Sequence, residues 1–195
     1  MELTALIDKA LPGEGSLLDR VSQKVQATVH SAVQRPPIRP IATVLRGDEW
    51  LGHPLHPVVV AWPIGAWLTS GWYDSRSVRT NVLRDEQIAD AALRVGVVGA
   101  LPAAVTGVVQ FLDARGQARR ETAVHAALNN AALLLYVGSL VLRQRGRRPL
   151  GRRLATIGLS VVSISGWLGG DIAFRHGVGM QSGTTGQGSD STPQE

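Results

Sequence analysis

The sequence predicts an all-α protein that threads a lipid bilayer four times as an up-down helical bundle, and three observations carry that prediction. Four runs contain no Asp, Glu, Lys or Arg: Leu51–Tyr73, Val95–Leu112, Thr122–Leu142 and Leu154–Gly170. A helix rises about 1.5 Å per residue, and about 20 residues cross a hydrocarbon core roughly 30 Å thick, so each run is close to one span. In the 195-residue chain 44% of residues are hydrophobic and 18% charged, yet mean hydropathy is only +0.06; charge is segregated between the runs. The connections are short, which makes neighbouring helices antiparallel.

Residues 1–47 read as an N-terminal amphipathic and linker region. Ser16 followed by Asp19 resembles a capping box that starts a helix. Leu18, Val21, Val25, Thr28, Val29 and Ala32 then recur at three- and four-residue steps, one apolar stripe suited to the bilayer surface or to docking on a partner. Arg35-Pro36-Pro37-Ile38-Arg39-Pro40 breaks that helix into a stiff linker, because proline removes donors and disfavours helix in the residue before it. Glu2, Asp8 and the lack of a long apolar stretch argue against a cleavable signal peptide, so the first span is expected to direct its own insertion.

The membrane domain is expected over 48–180. The first span runs from about His53 to Trp72, with Trp50 and Trp72 in opposite interfacial belts, Pro54 and Pro57 in the first turn, and Pro63 as a kink. The second, about Ile88 to Leu112, carries the small-residue ridge Gly99, Ala103 and Gly107, a kink at Pro102, and an Asp90–Arg94 pair at its start. The third, about Ala123 to Leu142, contains His125, Asn129 and Asn130. The fourth, about Arg153 to Phe174, places Ser160, Ser163, Gly166 and Gly170 along one side, and Gly177-Val178-Gly179 ends it. Residues 181–195 are Gly, Ser, Thr, Gln, one Pro and two acids, a polar tail expected to be disordered. Internal similarity is too weak to define a repeat.

Composition narrows the function classes. Cys is absent, which excludes disulfides, thiol catalysis and iron–sulfur ligation by this chain. The net charge of +5 comes mostly from arginines flanking the apolar runs, where they meet lipid headgroups; nucleic acid is not the expected partner. Alternation of direction collects His53, His56, His125 and His176 at one membrane face, face A, with Asp113 and Asp171; His30 lies on the N-terminal helix. Neutral imidazole binds transition metals, and two histidines from facing helices can clamp a haem iron. Histidines at this depth also serve as plain helix-end residues bonded to carbonyls or to these aspartates. Asn129, one turn beyond His125, is expected to bond across to another helix or to orient that ring. No catalytic residue and no reaction emerge, and no spacing selects one metal.

Leu51-Gly52-His53-Pro54-Leu55-His56-Pro57, with Pro63-Ile64-Gly65, Leu101–Gly107, His125 with Asn129, Gly169-Gly170 and Arg175–Gly179, resembles an uncharacterised family of bacterial four-span membrane proteins. The resemblance covers about 48–180. In relatives the membrane domain is often followed by a Rieske-type iron–sulfur domain, which implies electron transfer; here a redox partner would have to be a separate protein. The first expectation is therefore a cell-membrane, multi-pass module holding haem b or a transition metal at His53, His56, His125 and His176, supported by Asp113, Asn129 and Asp171. The second is a non-catalytic scaffold or anchor for a partner protein, and a homo-oligomer is compatible with either. A small transporter ranks last, since the span centres carry no ionisable residue. Nine arginines near one face against seven near the other do not choose an orientation.

Overall fold

The computed structural model describes residues 8–180, and the polar segment 181–195 lies outside them. Among the described residues there are helices and no strands. In chain order they are α1 (Leu17–Val33), α2 (Ile38–Arg46), α3 (Asp48–Leu51), α4 (Leu55–Thr80), α5 (Leu83–Phe111), α6 (Gly116–Gln144) and α7 (Arg148–Phe174). The last four form two hairpins, α4 against α5 and α6 against α7.

Three of these helices, α5, α6 and α7, are long and apolar enough to cross a membrane. Helix α4 has 26 residues but is less apolar, because it carries His56, Pro57, Pro63, Thr69, Ser70 and three tryptophans. The packing is inverted relative to a water-soluble bundle. Small and polar residues are inside, including Ala89, Ala103, Ala132, Ser70, Ser139, Ser165 and Thr106. Large apolar ones are outside, including Trp62, Val98, Leu101, Leu134, Ile157 and Ile164. Contiguous exposed apolar surface on this scale marks a lipid-facing exterior, and small interior residues let helix backbones approach.

The two hairpins share an interior register. His56, Pro63, Trp67, Ser70 and Asp74 on α4 each correspond to a residue 69 positions later on α6: His125, Ala132, Tyr136, Ser139 and Arg143. Ala89, Leu93, Gly96, Ala100, Ala103 and Gly107 on α5 correspond, 62 positions later on α7, to Gly151, Ala155, Gly158, Val162, Ser165 and Gly169. The sequence hides this repeat because it survives only at inward positions and mostly with changed residue types. Physically it is plain. Trp67 stacks on Tyr136, ring centroids 4.2 Å apart and 19° between planes. A Cβ at Gly96 would overlap the Trp67 indole, and one at Gly158 would come within 3.2 Å of the Tyr136 ring.

Several local expectations need correction. Trp50 lies on α3, not on the helix that carries Trp72, because chain-breaking Gly52 and Pro54 separate α3 from α4. The linker after Arg35 is short: α2 begins at Ile38 and accommodates Pro40 in its first turn, where a missing N–H costs no intrahelical bond. On α7 the buried small residues are Gly151, Ala155, Gly158 and Ser165, whereas Ser160, Ser163 and Gly166 face outward. Asp90 does not pair with Arg94. It accepts from Arg143 (2.7 Å) and Arg148 (2.6 Å), both of which reach it from the second hairpin.

The N-terminal region docks by its polar side. Ser16 caps α1 by accepting from the Asp19 N–H, while the Asp19 carboxylate accepts from the Gly15 N–H, one residue before the cap. Asp19 and Ser22 are buried; Val21 and Val25 of the apolar stripe are half exposed, and Leu17 beside them is largely exposed. Gln26 Nε2 donates to the carbonyls of Phe111 (2.8 Å) and Ala114 (2.9 Å), closing the α5–α6 turn against α1. Arg119 on α6 reaches Asp19 at 2.9 Å; that guanidinium and the Gly15 N–H hold the Asp19 carboxyl down to about 2. Arg46 from α2 grips Asp113 at 2.6 Å, and the aspartate pushes the guanidinium's pKa further up.

Candidate functional site

His56 stands in the first turn of α4, presented by Pro54 and Pro57 on either side, and leans on α5. Its Nδ1 lies 3.0 Å from the Ala103 carbonyl and 3.2 Å from the Thr106 hydroxyl. A carbonyl only accepts, so the proton sits on Nδ1 and the neutral ring keeps a lone pair on Nε2. The ring occupies the space where a Cβ at Gly107 would stand, 2.9 Å from its Cε1.

His125 repeats the arrangement in the second hairpin. Its Nδ1 lies 2.8 Å from the Ser165 carbonyl, and a Cβ at Gly169 would meet its Cε1 at 2.9 Å. The same logic places the proton on Nδ1. Asn129 Nδ2 then donates to Nε2 at 2.9 Å. Of the two expectations for Asn129, the bond to the His125 ring is the one present; among the described residues it does not reach across to another helix. The position equivalent to Asn129 on α4 is Val60, which offers His56 no such cap. Each stands 11 residues before one member of the Trp67–Tyr136 stack, so the two imidazoles occupy the same level of the bundle.

An imidazole that donates Nδ1–H to a carbonyl has the tautomer that metal-ligating histidines use. Gly107 and Gly169 form the cradles that make room for the rings. By donor chemistry the pair fits a transition metal or a haem iron, with His56 and His125 as ligands. Ligation by His125 would require Asn129 to release its bond.

The other expected site residues are elsewhere. His53 is exposed and its Nδ1 lies 3.3 Å from the carbonyl of Pro54. Asp113 belongs to Arg46. His176 lies beyond α7, where Gly177 (φ 66°) turns the chain so that Val178 joins a cluster with Ala114, Ala118, Leu168 and Ile172. That turn brings His176 Nε2 to 3.0 Å from Glu121 Oε2, with Asp171 beside them. Sequence reasoning passed over Glu121 because it borders the third apolar run. It also passed over Thr106 and Ser165; for Ser165 the signal was the 62-residue spacing between Gly107 and Gly169 and, one turn earlier, between Ala103 and Ser165.

At the opposite end of the bundle, Arg143 makes a bidentate pair with Asp74, donating to Oδ1 at 2.9 Å and also to Oδ2. Arg148 joins through Asp90 and Glu86 (3.1 Å), and Arg76 pairs with the buried Asp85 at 3.0 Å. This network is a structural clasp: each acid is matched by a guanidinium.

Neither the curated proteins nor the solved structures provide a match to this chain. Residues 52–182 match the family described as predicted membrane protein (DUF2231), and the chain belongs to that family.

Proposed function

We propose that the protein is a four-span module of the cell membrane that binds haem b or a redox-active transition metal between His56 and His125 and exchanges electrons with a separate redox protein. The observation that carries this reading is the matched pair of imidazoles, each fixed by a carbonyl of the adjacent helix and each seated against a glycine. Counting α4 as the fourth span is supported by its register with α6, itself apolar enough to cross, and by its outward Val58, Trp62, Leu68 and Trp72. The bound iron or copper would supply one-electron chemistry. The chain's own part is to hold two neutral nitrogen ligands at one end of the bundle and keep bulk water from them. A Rieske-type protein is a candidate partner by resemblance alone.

The test is an absorption spectrum and metal analysis of the detergent-purified chain. A Soret band or a stoichiometric transition metal is expected, lost in both His56→Ala and His125→Ala and kept in His53→Ala. Colourless protein without stoichiometric redox metal overturns the reading.

The scaffold reading has its own observation: Leu17, Val21 and Val25 on α1 and Ile38, Ile41 and Val44 on α2 are exposed although the helices are docked. It expects a partner protein to co-purify with the histidine variants and to be lost on deleting residues 16–34.

A further inference from the structure

We propose that Glu121, Asp171 and His176 form a second, separate site on face A, for a divalent transition cation of the zinc class. One ligand atom from each lies within 4.8 Å of the others. Glu121 has no exposed surface, a costly place for a carboxylate. Its Oε1 is satisfied by Gln117 Nε2 (2.9 Å) and Arg175 (2.8 Å). Its Oε2 accepts no hydrogen bond among the described residues, although His176 Nε2 is only 3.0 Å away. That nitrogen is likewise buried and without a hydrogen bond. Two buried polar atoms this close, yet not aligned as donor and acceptor, are arranged as two atoms that share a third partner.

A cation fits the distances and the charge. Zinc sits about 2.0–2.2 Å from nitrogen and oxygen ligands, which places tetrahedral ligands roughly 3.4 Å apart. Around the point are three carboxylates, Glu121, Asp171 and Asp8, against one guanidinium, Arg175, which bonds all three. With His176 neutral the group carries an excess of two negative charges, which one divalent ion cancels. One imidazole with two carboxylates is a borderline-to-hard donor set that suits zinc, manganese or iron(II) and disfavours copper(I). Elements far apart in sequence would be joined by it: α6 supplies Glu121, α7 supplies Asp171, and the turn after α7 supplies His176.

The experiment uses the whole chain in detergent, stripped with a chelator and titrated with zinc while bound metal is counted. One zinc per chain is expected in the wild type and in the double variant H56A/H125A. In D171N and H176A affinity should fall by roughly tenfold or more, the scale at which even outer-shell partners act. Because a change at the fully buried Glu121 risks misfolding, these two variants carry the test, with helical content measured alongside. No uptake by the wild type, or uptake unchanged in both variants, overturns the site. Loss confined to H56A/H125A would move the zinc to the imidazole pair and overturn it equally. Zinc is colourless, so this outcome and that of the redox reading are scored separately.

Discussion

The α4–α5 hairpin and the α6–α7 hairpin are built to one interior plan and then used differently. Both carry an inward histidine at one end, an aromatic ring at the middle and a charged residue at the other end. The aromatic rings meet as a stack and the charges meet as Asp74 with Arg143. The differences are concentrated in what surrounds these shared positions. Arg143 also holds Asp90, His125 is capped by Asn129 where His56 is not, and α1 leans on α6 through Asp19 and Arg119. Equivalent backbone positions fix geometry; their neighbours set chemistry.

The largest expected effect is at the charged end. Arg143→Leu leaves the buried Asp74 without its bidentate partner, while Asp90 keeps Arg148, and removing one partner of a buried pair costs about 3–5 kcal/mol. Thermal unfolding in detergent should show it. The exchange Asp74→Arg with Arg143→Asp sharpens the comparison: full recovery would mean the two ends are interchangeable. Recovery of less than half is expected, because Asp90 would then meet an aspartate.

Next comes the middle. Gly96→Ala drives a methyl into the Trp67 ring and should destabilise by about 1–3 kcal/mol, as overpacking does. Gly158→Ala approaches Tyr136 at 3.2 Å, and the helix gains from losing a glycine, so a change below about 1 kcal/mol is expected from the same assay. Equal costs at the two positions would mean the hairpins pack alike.

A smaller effect separates the two histidines. Asn129→Val copies the α4 arrangement into α6 and frees His125 Nε2. The bond removed is worth about 0.5–1.5 kcal/mol, so metal or haem affinity at the pair should rise up to about tenfold. Equilibrium titration checks it, and weaker binding would show that Asn129 orients the ring instead of obstructing it.

The smallest effect concerns the docked helix. Asp19 titrates lower when folded, about 2 against 3.8, so its contribution is complete above pH 4 and declines as pH falls toward 2. A fluorescence pair between α1 and α6 should keep its separation down to about pH 4 and lengthen below it. Detachment between pH 5 and 7 would assign the docking to another group.

The number of long helices, the small-residue ridge on α5 and the gathering of His56 and His125 were legible in the sequence, because hydropathy and chain direction suffice for them. The internal repeat was not: Trp67 with Tyr136 and Asp74 with Arg143 look unrelated until their side chains meet. Nor was the docking side of α1. Apolar periodicity points to burial of the stripe, yet Val21 and Val25 stay exposed and the docking contacts are polar, made by Asp19 and Gln26. Glu121 was hidden for a related reason, since a carboxylate at the edge of an apolar run ordinarily marks where helix meets solvent.

The clasp between Asp74 and Arg143 bears on how such a molecule is assembled. Two copies of a single hairpin, related by an axis, must present the same residue to each other at every equivalent place, so an acid would oppose an acid. Joining both hairpins in one polypeptide removes that obligation. Opposite charges at matching places are closed to identical copies and open to a fused pair, and here they lock the fusion at one end of the bundle.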